Sequence, residues 1–547
     1  MKNLKYYLFA LSGLLMSCND EFLDTEPTTQ INDATFWKSP SDLKIYNNQL
    51  YSVYLNGLGY GRGGFTAGMY TDDMLSDNAF SETPSAVRMG INTSNSPGLS
   101  NWSWSLVRNI NLMLEKAEAS PIEQSIKNQY MAEARLIRAL DYYDKLKLYG
   151  QLPIVDRVLE VDDELLYAPQ SSRDEVMAFI LSDLDFAVAN MVSTAEANRF
   201  DKMIAQSYRA RILLHEGTFR KYHGLGNETT FLQEAVKSAQ EVMNSGKYAI
   251  NVTGAYGALF SQLNLSGNKE VIFYRDYDDA LQLYHNLSNL ITHVNGAIMG
   301  GTKDLVQDYL CVDGLPIDES PLYKGDDNIT NEFTNRDKRL AETFAKPGTY
   351  FVTGKINLNS VPGGFAVTAT PSGYQIAKYF NASQDNQAWD RAFADAPLIR
   401  YAEILLILAE AKAELNTLTQ ADLDLTINVL RKKAGVAPLA ATHASLLQEV
   451  RRERRVELAF EGFRYDDLIR WKEGAQLSEP VIGLKFNADD ITNASKFVIG
   501  QHIQLDENGY ILSPNSYAFD ESKNYYFPVP LNELSLNPNL NQTPGWE

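Results

Sequence analysis

The strongest constraint on the fold is a helical pattern of apolar and small residues in the first half of the chain. Between Gln124 and Leu148, residues recur every three or four positions on one helix face: Ala132, Leu136, Ala139, Leu140, Tyr143 and Leu146. Gly150 and Pro153 follow and are typical of a helix end. Because such a face must be buried against another element, the sequence predicts packed helices here.

The same spacing predicts two blocks of helices. The helices of the first block, mainly residues 101–250, are Trp102–Ala119, Gln124–Leu148, Arg173–Val192, Lys202–Tyr222 and Thr230–Ser245. Those of the second block, mainly residues 395–475, are Asp395–Leu415, Ala421–Lys433, Ser445–Ala459 and Asp466–Lys472. Small residues recur at helix crossings, as in tetratricopeptide-like repeats. The repeats are degenerate, so the spacing alone leaves that assignment open.

Two other regions have the composition of irregular structure. Residues 57–68 contain six glycines, and residues 57–100 are rich in Pro, Ser and Asn. Residues 251–394 combine the same residue types with short β-prone runs such as Val271–Tyr274 and Tyr350–Val352. Because binding sites tend to lie on loops held by a rigid scaffold, we expect the ligand-binding part in these two regions.

The N-terminus has the order of a bacterial lipoprotein signal. Lys2 and Lys5 precede an apolar stretch that is too short to span a bilayer, and Cys18 follows it. We therefore predict a signal peptide at residues 1–17, a lipid anchor on Cys18 with a tether to residue 40, and a body at residues 41–547. The alternative is an ordinary secretory signal in which this cysteine occurs by chance.

The charge and the cysteine count argue against two classes of protein, nucleic-acid-binding proteins and zinc proteins. The net charge of −20 disfavours non-specific binding to nucleic acid, which requires a basic surface. Two cysteines are too few for a zinc site built on a cysteine cluster. If Cys18 carries lipid, Cys311 has no partner within the chain, and we expect it to be a small buried residue.

No motif predicts catalysis, a metal or a cofactor. The sequence lacks a Gly-x-Ser-x-Gly elbow, a His-Glu-x-x-His zinc motif and a phosphate loop. Asp326, Asn328 and Thr330 alternate like calcium ligands, but the glycine and distal glutamate of an EF-hand are absent, which favours a solvated turn. Enzyme signatures are therefore largely absent from the sequence.

The densest charge pattern has glutamates four residues apart with arginines between them. Glu449, Glu453, Glu457 and Glu461 would share one helix face. An anion-binding or partner surface is one interpretation. A structural helix stabilised by ion pairs along its own length is the other, and it is the one we favour.

This run also carries a resemblance to a known family. Residues 452–462 (Arg-Glu-Arg-Arg-Val-Glu-Leu-Ala-Phe-Glu-Gly), with Arg464 and residues 466–471 (Asp-Asp-Leu-Ile-Arg-Trp), closely resemble the hallmark of SusD/RagB proteins. Further resemblances lie in order along nearly the whole chain: Cys18 with Phe22-Leu23-Asp24, Ala132-Glu133-Ala134-Arg135, Tyr149 to Pro153, Asn335-Arg336-Asp337, Arg400 to Glu403, Pro528-Val529-Pro530 and Gln542 to Gly545. Thr543 stands where Asn is commoner, which puts nothing in doubt.

The resemblance implies a fold, a location and a role. The fold would be mainly α, a tetratricopeptide-like helix-pair scaffold with an irregular loop-rich ligand-binding part and a few short strands. The protein would be lipid-anchored and surface-exposed at the cell outer membrane. It would bind polysaccharide or oligosaccharide without cleaving it and deliver it to a SusC-like TonB-dependent transporter. Some relatives bind peptides instead, and a surface glycoside hydrolase is a remoter alternative.

The family motifs do not fix the glycan-binding residues, so physical chemistry must choose them. Sugar rings stack on aromatic faces, and their hydroxyls need polar neighbours. Aromatic residues in irregular segments that meet this requirement, with their polar neighbours, are Trp389, Tyr60, Tyr70, Asp72, Phe80, Tyr277 and Tyr284. Arg62, and beside other aromatics Arg88 and Arg275, would suit an anionic glycan, either sulfated or uronic.

Overall fold

The computed structural model describes residues 36–55, 57–59, 68–287, 291, 299–346, 370–381, 391–486, 499–500 and 503–547. Within these ranges the chain is mainly α-helical and its strands are short, which confirms the predicted fold class. Cys18, Tyr60, Arg62, Trp389 and the predicted strand at residues 350–352 lie outside the described residues.

Two elements that the sequence did not predict come first, α1 (Pro40–Tyr54) and the single turn α2 (Met69–Asp72). The long helices of the first block follow as the sequence predicts: α3 (Ser105–Ala119), α4 (Gln124–Tyr149), α5 (Arg173–Asn190), α6 (Lys202–His223) and α7 (Glu228–Asn244). Particular residues determine where these helices begin and end. The Asp201 carboxylate accepts hydrogen bonds from the N–H groups of Met203 and Ile204 at the start of α6. Helix α4 ends at Gly150, whose φ of 74° is unfavourable for a residue with a side chain.

The long helices pack as consecutive pairs. Helix α4 packs against α5, and α6 packs against α7. Their facing sides supply a large part of one hydrophobic cluster, in which Ala134, Leu136 and Ala205 are fully buried. These pairs form the tetratricopeptide-like scaffold.

The second block contains α11 (Tyr401–Glu414), α12 (Gln420–Leu425), α13 (Ile427–Ala434), α14 (Leu446–Glu457) and α15 (Arg464–Arg470). Two predictions are wrong in detail. The predicted helix from Asp395 begins only at Tyr401, because Ala396–Arg400 is a strand in which Pro397 disfavours a helix. The predicted helix Ala421–Lys433 is two helices that meet at Thr426, whose backbone is not helical.

The remaining elements are short and lie in the irregular part and the tail. The helical turns are α8 (Lys303–Asp308), α9 (Ile329–Glu332), α10 (Leu340–Thr343) and α16 (Leu531–Leu536). The strands form three small antiparallel sheets: β1 (Ala79–Ser81) with β3 (Met299–Gly301), β2 (Val271–Arg275) with β4 (Ala396–Arg400), and β7 (Tyr510–Leu512) between β5 (Ile482–Lys485) and β6 (Gln504–Leu505). A second hydrophobic cluster lies beneath them.

The charged run on α14 is structural, but it differs from the predicted arrangement. Glu449, Glu453, Glu457 and Glu461 are buried. They pair with side chains from other elements: Arg431 with Glu449 and Glu453, Arg339 with Glu453 and Glu457, Arg400 with Glu457 and Glu461, and Lys378 with Glu461. These interactions join the helical scaffold to the irregular part.

Candidate functional site

Three of the predicted aromatic residues are buried in the core. Tyr70, Phe80 and Tyr277 are each no more than 3% exposed and belong to the second hydrophobic cluster. The Tyr277 hydroxyl donates to the carbonyl of Gly59 and accepts from the N–H of Leu58. Their ring faces are therefore covered by protein in this structure, and the site described below does not use them.

Tyr284 lies instead on an exposed hairpin that follows β2. Asp278 and Leu283 exchange two backbone hydrogen bonds of 3.0 and 2.9 Å, and Gln282 at the turn has a φ of 57°. His285 and Ala392 exchange two more, of 2.8 and 3.1 Å. This second pair holds the hairpin beside the segment that begins at Arg391.

The hairpin and that segment build an exposed cluster, which we call the Tyr284 cluster: Asp279, Tyr284 and Arg391. The Tyr284 hydroxyl donates to Asp279 Oδ1 at 2.7 Å. Arg391 Nη2 donates to the Tyr284 hydroxyl at 2.9 Å and to Asp279 Oδ1 at 3.1 Å. The Arg391 guanidinium carbon lies 5.1 Å from the centre of the tyrosine ring. The three side chains thus fix one another in place.

The Tyr284 cluster presents apolar and polar surface together. Arg391 and Asp279 have side chains that are 48% and 54% exposed. Leu281 and Leu283, on the same hairpin, are also exposed. The Tyr284 hydroxyl, followed by Arg391, lowers the pKa of Asp279, so the carboxylate stays ionised. An aromatic ring edged by a hydrogen-bond acceptor and a donor is suited to a hydroxyl-rich ligand.

Buried groups support the hairpin from below. Asp395 accepts hydrogen bonds from the N–H groups of Leu265, at 2.8 Å, and Tyr277, at 3.1 Å. Burial, with a contribution from the neighbouring Asp276, raises the pKa of Asp395 to about 7. Burial lowers the pKa of His285 to about 3, so its imidazole is neutral near pH 7.

Asp72, the remaining predicted polar residue, lies elsewhere. It lines a cavity of about 580 Å³ between α1, α4, α6 and α15. Its side chain is exposed to solvent there. Desolvation by neighbouring protein, with repulsion from Asp73 and Asp466, raises the pKa of Asp72.

The arginines predicted to favour an anionic ligand are engaged in the fold where the structure describes them. Arg88 is 3% exposed and donates to the carbonyls of Ser76 and Leu477. Arg275 donates to the carbonyl of Leu55 and lies over the ring of Tyr277. Neither guanidinium faces the Tyr284 cluster as a free partner for sulfate or carboxylate.

The acidic turn considered as a calcium site is satisfied by cationic and hydroxyl groups. Asp326 accepts from Lys303 and from the Tyr510 hydroxyl, both at 2.6 Å. Among the residues that the structure describes, no group of three or more His, Cys, Asp or Glu side chains is arranged to hold a metal ion.

Sequence reasoning missed several residues of these sites. Asp279 is one of 69 acidic residues in the sequence, and Arg391 lies two residues after Trp389 with no motif of its own. No sequence signal links either residue to Tyr284, because the backbone pairing of His285 with Ala392 joins positions more than a hundred residues apart. The cavity residues Asp144, Lys147 and Asp466 lie on helices that the pattern predicted correctly, but with no indication of a cavity.

Comparison with known proteins agrees with this architecture. The model of the SusD family matches residues 269–546, just over half of the chain. The chain belongs to the SusD family. The matched region includes the charged run of α14, β4 and the hairpin that bears the Tyr284 cluster, so the hallmark and the candidate site lie in the same SusD-family segment.

Relatives cover most of this SusD-family chain at low identity. A SusD-like protein of Formosa agariphila is 24% identical over 505 residues, which span 86% of this chain and 92% of that protein. The starch-binding protein SusD of Bacteroides thetaiotaomicron is 22% identical over 80% of this chain and 76% of its own length. The crystal structure of a SusD-like carbohydrate-binding protein of Bacteroides fragilis has a TM-score of 0.77 and 27% identity, covering 93% of this chain and all of that one.

Within the parts of the chain that the structure describes, no helix combines the length and the apolar character needed to cross a bilayer.

Proposed function

We propose that this protein is a non-catalytic cell-surface lipoprotein that binds polysaccharide or oligosaccharide and delivers it to a SusC-like TonB-dependent transporter. The observation that carries the proposal is the exposed Tyr284 cluster, held by backbone pairing on the scaffold of the SusD family. Relatives named as starch-binding and carbohydrate-binding proteins support the ligand class.

The chemistry of the Tyr284 cluster suits binding rather than cleavage. The apolar ring and the exposed leucines of the hairpin can cover the C–H face of a sugar. Asp279 can accept hydrogen bonds from sugar hydroxyls and Arg391 can donate to them. The hydrogen bond from Tyr284 keeps the pKa of Asp279 low, so this carboxyl group is unsuited to donating a proton as a general acid near neutral pH.

The N-terminal sequence supports the proposed location. Cys18, after its short apolar stretch, is the proposed site of lipidation. Attachment there would leave the body at the outer-membrane surface, beside its transporter. Trp389, two residues before Arg391, is proposed to extend the binding surface, as are Tyr60 and Arg62 from the glycine-rich segment.

Binding should depend on the tyrosine ring. We expect Tyr284→Ala to weaken binding of the polysaccharide ligand by about tenfold, because ring stacking contributes roughly 1 kcal/mol beyond buried area and its loss also frees Asp279 and Arg391. Affinity electrophoresis against a panel of neutral and sulfated polysaccharides measures the change and identifies the ligand. Tyr167→Ala, at another exposed tyrosine, is the matched control and should bind like the wild type.

The same panel separates the alternative functions. Release of reducing ends would identify a hydrolase, and copurification of heterogeneous peptides would identify a peptide receptor. Binding confined to sulfated or uronic polysaccharides would support an anionic ligand, which the engaged Arg88 and Arg275 do not favour. Unchanged affinity of Tyr284→Ala for the bound glycan would refute the proposed site.

A further inference from the structure

The hairpin that bears Tyr284 carries more acidic than basic side chains. Asp276, Asp278 and Asp279 lie within four consecutive residues; Asp276 and Asp279 are exposed, and Asp278 is half-buried. The backbone pairing of Asp278 with Leu283 brings this acidic run beside Tyr284. A ligand on the tyrosine ring therefore lies next to carboxylates.

The first two of these aspartates are bound by neutral donors. The Asn198 side-chain amide donates to Asp276 Oδ2 at 3.0 Å, and the N–H of Leu281 donates to Asp278 Oδ1 at 2.9 Å. Within the described ranges, neither aspartate forms an ion pair with a lysine or an arginine. A neutral donor leaves the net charge of a carboxylate in place, so both keep their negative charge uncompensated.

The arginines of the hairpin and of the segment beside it are already engaged. Arg275, at the end of β2, donates to the carbonyl of Leu55 and lies over the ring of the buried Tyr277. Arg391 is shared between Asp279, at 3.1 Å, and the Tyr284 hydroxyl, at 2.9 Å. A sulfate or carboxylate on a ligand would bind Arg391 only by competing with Asp279.

Asp279 is itself a permanent negative charge at the edge of the ring. The Tyr284 hydroxyl, followed by Arg391, lowers its pKa. Because that hydroxyl lies 2.7 Å from Asp279 Oδ1, a sugar stacked on the ring would hold its substituents close to the carboxylate. An anionic substituent there would be repelled by a like charge at short range.

A neutral sugar meets no such repulsion and finds suitable partners. Among the described residues, no donor binds Asp279 Oδ2, which can therefore accept from a sugar hydroxyl. A hydrogen bond to a charged acceptor is stronger than one between neutral groups. The exposed side chains of Leu281 and Leu283 offer apolar surface to the C–H groups of the sugar.

The sequence that leads into Arg391 has the same charge bias. Residues 382–390 contain Asp385 and Asp390 and neither lysine nor arginine. Two further aspartates thus lie within six residues of Arg391 along the chain. Their charges add to a potential that disfavours anions.

We propose that the Tyr284 cluster selects neutral glycans over sulfated or uronic ones, with Asp279 as the residue that determines this selectivity. This inference rests on the glycan-binding function proposed above and adds the chemical class of the ligand. Asp279 has two roles in it: its carboxylate accepts hydrogen bonds from the hydroxyls of a neutral sugar, and it repels sulfate and carboxylate groups.

Isothermal titration calorimetry of the mature full-length protein with matched polymers tests the proposal. The probes are dextran, laminarin, xylan and galactomannan, each paired with its chemically sulfated derivative. We expect at least one neutral polymer to bind, about tenfold more tightly than its sulfated derivative at low ionic strength. Equal or tighter binding of the sulfated derivative, or no binding of any neutral polymer, would overturn the proposal.

Salt separates repulsion by charge from exclusion by size. Because salt screens exposed charges, the preference for the neutral polymer should shrink to about threefold or less in 0.5 M sodium chloride. A preference of unchanged size in high salt would show that the sulfate groups are excluded by their bulk, and it would refute the role of Asp279.

The variant Asp279→Asn keeps the shape of the side chain and one acceptor oxygen but removes its charge. It should reduce the preference at least about threefold, mainly through tighter binding of the sulfated polymer. Asp162→Asn removes the same charge from an exposed aspartate in the loop between α4 and α5, and it should keep the wild-type preference. Equal preferences in the two variants would contradict the assignment of selectivity to Asp279.

Tyr284→Ala distinguishes failure of this inference from failure of the proposed site. If it leaves binding of the neutral polymer unchanged, the glycan does not bind at the Tyr284 cluster and the proposed site itself is wrong. If it weakens that binding while the wild type binds neutral and sulfated polymers equally, the site stands and only the selectivity is wrong.

Discussion

At the scale of single residues, Asp395 shows how one buried side chain positions the exposed Tyr284 cluster. It begins the segment that leads into β4, and its two carboxylate oxygens fix the backbones of Leu265 and Tyr277. Tyr277 in turn starts the hairpin that carries Tyr284. Replacing the carboxylate therefore tests a link between the core and the binding surface without touching the surface itself.

We predict that Asp395→Asn makes stability less dependent on pH. The pKa of Asp395 is raised to about 7 by burial, against about 3.9 in the unfolded chain. At Asp395 the folded protein therefore binds more protons between these values, so the contribution of this group to the free energy of unfolding falls as pH rises from about 4 to 7. Asparagine cannot titrate and removes this part of the slope.

Melting temperatures between pH 5 and 8 measure that slope. Asp162→Asn, which removes an exposed aspartate, should keep the wild-type dependence. An Asp395→Asn variant with the full wild-type slope would contradict the assigned pKa.

At the scale of elements, α14 is a helix whose buried face is charged. Its glutamates are bound by cations from α13, from the turn before α10 and from β4, and Glu461, just beyond its end, is bound by Lys378. Although burial disfavours its charge, Arg400 and Arg339 hold the pKa of Glu457 to about 2. Such pairs add little net stability when complete, but removing one partner leaves the other charge buried and unpaired.

We predict that Glu457→Gln is strongly destabilising. Breaking a buried pair costs roughly 3–5 kcal/mol, which for a chain of this length lowers the melting temperature by about 3–5 °C. Glu196→Gln is the matched control, because its pair with Lys44 is exposed and should contribute less than ~1 kcal/mol. Scanning calorimetry compares the two variants, and equal melting temperatures would contradict the structural role of the network.

The sequence could predict the long helices but not the elements that depend on pairing between distant residues. The long helices were predictable because local chemistry specifies them, as with the Asp201 cap of α6 and Gly150 at the end of α4. The residues of β4 were predicted to begin the following helix although Pro397 disfavours a helix there, and their pairing with β2 makes them a strand. The Tyr284 cluster depends on the same kind of distant pairing, between His285 and Ala392.

At the scale of the whole molecule, we propose that a large acidic protein is attached to the outer membrane through lipid on a single residue, Cys18. The net charge of −20 gives the body no attraction of its own for an anionic membrane. Retention would therefore depend on lipid, since hydrocarbon chains provide about 0.8 kcal/mol for each buried methylene group.

We predict that Cys18→Ser releases the protein from the outer-membrane fraction and abolishes its labelling with palmitate. Cys311→Ser, which removes the other cysteine, is the matched control and should stay labelled and membrane-bound. Cell fractionation with metabolic labelling measures both properties. Labelling that persists in the Cys18→Ser variant would place the lipid elsewhere.

The charged interface of α14 also bears on how this molecule can change over time. An apolar contact tolerates replacement by another apolar residue of similar volume. A guanidinium shared by two buried glutamates, as Arg339 is by Glu453 and Glu457, tolerates loss of neither partner alone. We therefore expect evolutionary substitutions at these positions to occur together. The exposed hairpin has few buried charged partners, so single substitutions there can change the ligand one at a time.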